Sequence, residues 1–329
     1  MFYVIITIFI TFVLQNLYYS LVGNKNLDEI HIHFNESQSL VLNLCLGLIM
    51  FGIALDLKIE DFKFVFSHIR SVAIGLFSQW VFLPILTLVL ILIIQPAPGI
   101  AMGMALIAAC PGGNVSNYAV HFSKANTALS IIMTSITTLM CVFTTPTIFS
   151  LVQYLLPTFS KSVDTLGSVD IRFGDMALIV LKLIIIPSFM GIFMNSYFPK
   201  ITNFIKKPIN IISMLIFISF VFFGVMSNWD NLVNYISYVF FIVLIHNGLA
   251  LMGGYGLSKF VFGMSESDAR TISLETGIQN SGLALIIIFT LFNGMGSMAL
   301  IAAWWSVWHL ISAISISFVW RRQVGFSTL

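Results

Sequence analysis

An all-helical, polytopic membrane protein with ten transmembrane helices is the fold class that the sequence predicts, on three observations. Of 329 residues, 58% are hydrophobic and only 9% charged, with a mean hydropathy of +1.00. Such a chain lacks the polar surface that covers a water-soluble globule. The apolar residues also gather in long, unalternating windows, which read as helices, whereas the strands of a membrane barrel alternate with period two over about 10 residues. Lastly, the basic residues of the connections fall mostly on one side of the membrane.

The windows lie at about 2–22, 39–55, 70–94, 98–122, 126–153, 174–195, 209–227, 234–258, 270–292 and 297–320. Ten spans of about 20 residues take roughly 200 residues and leave only connections, so no soluble catalytic or nucleic-acid-binding domain fits. The first window, Phe2 to Leu21, has neither a basic leader nor a small-residue cleavage site and reads as a retained span, not a signal peptide. A formal net charge of +2 argues against a polyanion as partner. Cys45, Cys110 and Cys141 sit in apolar runs without metal-ligand spacing, and their odd number disfavours a disulfide framework. Beyond the lipid bilayer, no obligate protein partner is evident.

Orientation follows from the connections. With the N-terminus inside, the inner side carries Lys58, Lys63, Arg70, Lys124, Lys200, Lys206, Lys207, Lys259, Arg270, Arg321 and Arg322. The outer side carries Lys25, Lys161 and Arg172, while Lys182 lies within a span and is read as snorkelling to the outer interface. Eleven against three places both termini in the cytoplasm, across an inner or plasma membrane. The polar stretch 157–173 then lies outside and separates a five-helix repeat at 1–156 from a second at 174–329. Five is odd, so the halves are expected to be inverted, the architecture of many secondary transporters. A weak echo agrees with this: Met50 Phe51 Gly52 Ile53 Ala54 closes span two and Phe222 Phe223 Gly224 Val225 Met226 closes span seven, each before a polar segment containing Asp.

Span four is interrupted by Cys110 Pro111 Gly112 Gly113 Asn114 Val115 Ser116 Asn117, and span nine by Glu275 Thr276 Gly277 Ile278 Gln279 Asn280 Ser281 Gly282. Proline removes a backbone donor and glycine weakens a helix. Backbone groups freed in lipid must find partners or line a wet cavity. Corresponding breaks in two halves of a transporter point to its transport site. Glu275 is the only acid deep in a predicted span. An uncompensated carboxylate there costs at least about 2.5 kcal/mol on insertion scales, which favours a role in an ion or substrate path over a structural one. Oxygen ligands for a hard cation are at hand in Ser116, Asn117, Ser130, Thr134, Gln79 and Gln279. Ser130 and Thr134 are one turn apart on span five, although such a pair more often bonds back to its own helix.

The segments Pro111 to Asn117, Ala128 Leu129 Ser130 with Thr134, and Glu275 to Ser281 resemble the signature segments of the bile acid:sodium symporter family. The resemblance implies a core domain and a panel domain, broken helices four and nine that cross, two sodium ions at the crossing, and an organic anion between the domains. It assigns a first sodium site to Ser116, Asn117, Ser130, Thr134 and Glu275. A second falls to Gln79, Glu275, Thr276, Ile278 and Gln279, with Thr276 and Ile278 acting through main-chain carbonyls. Asn114, Asn280 and His309 match substrate-facing positions of bacterial relatives. Leu310 stands where some bile-acid-binding relatives carry asparagine, a departure that argues against a bile acid in particular. Steroid sulfates, pantoate and short keto acids are the other candidate cargoes. The resemblance implies sodium as the coupling ion and no cofactor.

Two rivals are weighed against a sodium symporter. One is a proton-coupled or efflux permease of the same fold, like the arsenite exporters, in which Cys110 and the acid of span nine would act. The other is an intramembrane hydrolase, which the absence of Gly-x-Ser-x-Gly and His-Glu-x-x-His disfavours. Alone, His309, which follows Trp304, Trp305 and Trp308, is more often a packing histidine than a ligand. His246 and Asn247 lie in span eight about where Gln79 lies in span three, but match no ion site.

Overall fold

The computed structural model describes residues 43–44, 47–52, 54–55, 65, 67–113, 115–156, 173–227 and 229–326. Within these it describes backbone alone at 210, 213–214, 216–218, 220–227, 229–238 and 324–326. Predicted span one, parts of span two, the linker up to residue 172, Cys45 and Asn114 lie outside the described residues.

The described regular structure is helical. Ten helices follow in order: α1 (Ile69–Ile94), α2 (Pro98–Ala109), α3 (Val115–Phe122), α4 (Thr127–Leu155), α5 (Phe173–Tyr197), α6 (Pro199–Ser227), α7 (Trp229–Gly256, continuing through Leu257–Val261), α8 (Glu266–Gly277), α9 (Ser281–Leu291) and α10 (Gly296–Phe326). Among the described residues, five helical stretches are long and apolar enough to cross a membrane: Ile69–Ile94, Thr127–Leu155, Phe173–Tyr197, Val239–Val261 and Gly296–Gln323. Together they mark a multi-pass membrane protein. Pro98–Ala109 and Ser281–Leu291 are apolar but short; a helix of 12 residues reaches roughly 18 Å, well under the bilayer core.

The sequence windows and the helices differ most at α6. The window begins at 209, whereas the helix begins at Pro199 and runs on through Pro208, so Lys200, Lys206 and Lys207 ride its first turns instead of a loop. Proline at the first helical position suits a helix start, and only Phe198 separates α5 from α6. Elsewhere the boundaries have local causes. Asn126 caps α4 by accepting from Leu129 N at 3.1 Å, and Ser265 caps α8 by accepting from Asp268 N at 3.1 Å.

The core gathers around α2, which is buried on nearly every side from Gly99 to Ala109, as suits a helix apolar all round. It packs against α4 and α10, and α10 in turn packs against α7 and α9. Trp305, Phe149, Phe292, Met104 and Ile107 are among the largest wholly buried side chains. Three helices carry a π turn, at Ser78–Phe82, Leu181–Ile185 and Leu257–Val261. The first of them holds Gln79. Such turns re-aim side chains within an otherwise regular helix.

Candidate functional site

The chain leaves helical geometry at Cys110 to Gly113 and again between Gly277 and Ser281, and the two breaks meet. Gly113 N donates to Ile278 O at 3.0 Å and Asn280 N to Pro111 O at 2.8 Å. These bonds form a single antiparallel bridge that pairs Gly112 with Gln279. Backbone groups released by proline and glycine thus satisfy one another across the crossing, as a low-dielectric interior requires. The approach is close: a β-carbon on Gly113 would sit 3.1 Å from Gln279 O and 3.3 Å from the Ile278 side chain. Glycine is what fits there.

Glu275, in the last turn of α8, is fully buried. Its Oε1 lies 2.5 Å from Ser116 Oγ, 2.5 Å from Ser130 Oγ and 3.2 Å from Thr134 Oγ1, and its Oε2 lies 3.0 Å from Thr134 Oγ1. Asn117 Oδ1 accepts from Ser130 Oγ at 2.7 Å, and Gly113 O from Ser116 Oγ at 2.8 Å. The five residues assigned to a first ion site therefore stand together, drawn from α3, α4 and α8. Three hydroxyl protons here are shared among both carboxylate oxygens, Asn117 Oδ1 and Gly113 O, the last of which also accepts from Ser116 N at 2.9 Å. Among the described residues the ion pairs are those of Glu266 with Lys259 and Arg270, so no cationic side chain pairs with Glu275. A buried carboxylate met by neutral hydroxyls, without a cationic side chain beside it among the described residues, is an arrangement that fits a cation.

The residues assigned to a second site also converge, at the end of α8. Gln79 Nε2 donates to Glu275 O at 2.7 Å, and Gln279 Nε2 to Thr276 O at 2.9 Å. Both side-chain oxygens, Gln79 Oε1 and Gln279 Oε1, are buried without a hydrogen-bond donor among the described residues. Orphaned acceptors of this kind cost free energy unless something electropositive meets them, and that fits a cation bound by oxygen. Ile278 O already accepts from Gly113 N, which leaves it one lone pair.

Of the substrate-facing assignments, Asn114 lies outside the described residues. Asn280, 9% exposed, caps α9 by accepting from Leu283 N at 3.0 Å, so its side-chain oxygen is engaged. His309 is buried on α10. It lies three residues from Ser306, which donates to Ser281 Oγ at 2.7 Å, and three from Ser312, which donates to Asn247 Oδ1 at 2.7 Å. That spacing puts His309 on the face of α10 turned to the second break.

Sequence reasoning missed Thr137 and Ser78. Thr137 Oγ1 accepts from Gly112 N at 3.4 Å and extends the Ser130–Thr134 stripe by three residues; Ser78 Oγ lies 2.7 Å from Thr276 Oγ1. Asn247, set aside on sequence, donates from Nδ2 to Gly277 O at 2.7 Å. His246 Nε2 instead meets Thr87 Oγ1 at 2.7 Å, with its ring edge-on to Trp305. Cys110 and Cys141 are buried in the core, where Cys141 Sγ donates to Thr138 O at 2.8 Å.

The Sodium Bile acid symporter family model matches residues 43–235, more than half of the chain and inclusive of the first break. The chain is 28% identical over 283 residues to the uncharacterized sodium-dependent transporter YocS of Bacillus subtilis (strain 168), covering 86% of this chain and 84% of that protein. It is 29% identical over 242 residues to the probable sodium/metabolite cotransporter BASS2, chloroplastic, of Oryza sativa subsp. japonica. That match covers 74% of this chain and 55% of the rice protein. With the probable sodium/metabolite cotransporter BASS1, chloroplastic, of Arabidopsis thaliana, identity is 26% over 280 residues, or 84% of this chain and 66% of that protein. The plant proteins are thus longer than the part this chain matches. With two broken helices crossing at a buried glutamate, and with this match, the chain belongs to the sodium bile acid symporter family, a family of membrane transporters and not of enzymes.

Proposed function

We propose that the protein is a sodium-coupled symporter that carries a small organic anion across a cell membrane by alternating access. The observation that carries this reading is the environment of Glu275: a fully buried carboxylate served, among the described residues, by neutral hydroxyls alone, beside two buried amide oxygens that have no donor among those residues. The relatives' names, sodium-dependent transporter and sodium/metabolite cotransporter, support sodium as the coupling ion and a small molecule as cargo.

In this reading Glu275 serves both ions. One sodium takes the carboxylate with Ser116, Asn117, Ser130 and Thr134; the other takes Glu275, Gln79 and Gln279 with the carbonyls of Thr276 and Ile278. Once neutralised, the crossing holds the N-termini of α3 and α9 together, and the positive ends of their helix dipoles favour an anion beside them. Asn114, Asn280 and His309 add neutral donors, which recognise a carboxylate, sulfate or sulfonate without burying a fixed charge. Ten spans in two inverted repeats, core against panel, then rock about this site. Because coupling is a linkage, the anion tightens sodium as much as sodium tightens the anion.

The test is a thermal-shift screen of purified protein against bile acids, steroid sulfates, pantoate and keto acids, in sodium and in choline. The cognate anion stabilises more in sodium than in choline, by an amount that grows with concentration over Kd. An anion that stabilises equally in both salts contradicts symport.

A further inference from the structure

Every carbonyl in the last turn of α8 has a donor. Leu274 O accepts from Ile278 N at 3.0 Å, Glu275 O from Gln79 Nε2 at 2.7 Å, Thr276 O from Gln279 Nε2 at 2.9 Å and Gly277 O from Asn247 Nδ2 at 2.7 Å. Three of these donors are side-chain amides, and they differ in what their oxygens do. Those of Gln79 and Gln279 have no donor among the described residues, whereas Asn247 Oδ1 accepts from Ser312 Oγ of α10 at 2.7 Å. Turning the Asn247 amide over would set its oxygen against Gly277 O, so the two contacts together fix its orientation. Asn247 is wholly buried.

Resting on the sodium reading above, we propose that Asn247, locked by Ser312, is a positioning residue for the second sodium site. It acts through the Gly277–Ile278 peptide. The two sodium-facing carbonyls, Thr276 O and Ile278 O, flank that peptide. Its plane is rigid, and it is pinned at both ends, by Ile278 N–H on Leu274 O and by Asn247 on Gly277 O. Gly277 has no side chain to restrain it, and at Ile278 the chain is extended, with φ −110° and ψ 107°. Pinning the plane therefore sets the directions of the carbonyls on either side. The carbonyl between them, Gly277 O, is held toward α7 and out of competition for the ion.

The test uses full-length protein in detergent and follows thermal unfolding as sodium, then lithium, replaces choline at constant ionic strength. Asn247→Leu removes the donor, Ser312→Ala unlocks the amide, and Thr87→Val is a control that breaks the neighbouring His246 contact without touching α8. Loss of an outer-shell partner weakens metal sites by about 10- to 100-fold, so Asn247→Leu raises the sodium midpoint about tenfold and Ser312→Ala about threefold. Both also change the lithium-to-sodium ratio, which a merely structural defect does not move, and Thr87→Val leaves midpoint and ratio as in the parent. If Asn247→Leu does not fold, Ser312→Ala decides by the same criterion. The proposal is overturned if the variants keep the parent's midpoint and ion ratio, whatever their stability in choline, while Gln79→Ala weakens the sodium response. A parent protein that does not respond to sodium at all instead overturns the sodium reading on which the proposal rests.

Discussion

Gly112 lies so close to the Glu275 carboxylate that a β-carbon placed on it would sit 3.1 Å from Oε2, and 2.8 Å from Gln79 Nε2. One glycine thus touches the ligand that the two proposed ion sites share and a ligand of the second alone. Both neighbours are buried, so a methyl group there would make the two side chains shift within the site itself.

Gly112→Ala should therefore disturb ion binding more than folding. Overpacking of this kind costs about 1–3 kcal/mol, which a thermal-unfolding scan in choline reads as a modest loss of stability. A sodium titration of the same variant should show the midpoint raised at least about tenfold, or no response, as expected when ligand positions are lost. An unchanged sodium midpoint would mean that Gly112 packs beside the site without shaping it.

Asn280 has two jobs that an alanine would remove together. Asn280→Ala deletes a helix cap, worth about 1 kcal/mol, along with the amide proposed to face the anion. Asn280→Ser keeps a cap oxygen and loses the amide, so it separates the two. Its thermal stability and its sodium midpoint without anion should stay near the parent's, while anion affinity falls several-fold in a binding titration. Loss of sodium binding with anion binding intact would show that the two faces of this break are assigned the wrong way round.

Glu266 makes stability depend on pH at the start of α8. Burial pushes its carboxyl up, but hydrogen bonds from Arg270 Nε at 2.8 Å and Tyr255 Oη at 3.0 Å, with Lys259 Nζ at 3.3 Å, outweigh it and leave the carboxyl below its usual value. A group depressed in the folded state stabilises above its unfolded pKa, and that contribution is lost as pH falls through the folded one. With a 44% exposed carboxylate the effect is small, about 0–1 kcal/mol. Parent protein should therefore unfold slightly above Glu266→Gln at pH 7, and the gap should close below about pH 4. A gap that widens in acid would reverse the sign.

Orientation is open to labelling. Single cysteines near residue 30 and at residue 160, both outside the described residues, should react with impermeant reagents from outside, and those at residue 204 and the C-terminus only from inside. Eleven basic residues against three set that expectation. Extracellular termini would exchange the inner and outer cavities of the proposed cycle.

The two breaks and Glu275 were legible in the sequence because each violates what a lipid-spanning helix tolerates: Pro111 and two glycines in one, an acid in the other. Hydroxyls are a different matter. Ser130 and Thr134 turn to Glu275, yet Ser135, Thr144 and Thr147 on the same helix bond back to the carbonyl four residues before. Residue type and spacing do not separate these outcomes; what stands opposite each hydroxyl does. Thr137 was missed for that reason, and Asn247 because its partner, Gly277, lies 30 residues away. The cap role of Asn280 carried a local signal, an asparagine three residues before Leu283 at a helix start, and was overlooked in favour of its amide. The early start of α6 escaped because a hydropathy window ends at charged residues, and a helix that exposes them need not.

The most direct measurement is a sodium titration of unfolding temperature in the parent, Gln79→Ala and Glu275→Ala, with choline holding ionic strength constant. The carboxylate is the only formal charge common to both proposed sites, so its loss removes attraction from both ions at once. The parent should be stabilised progressively by sodium, Gln79→Ala should keep a weaker response, and Glu275→Ala should give a flat line while still unfolding cooperatively. A Glu275→Ala protein that sodium stabilises with the parent's midpoint would contradict a shared glutamate at the heart of coupling.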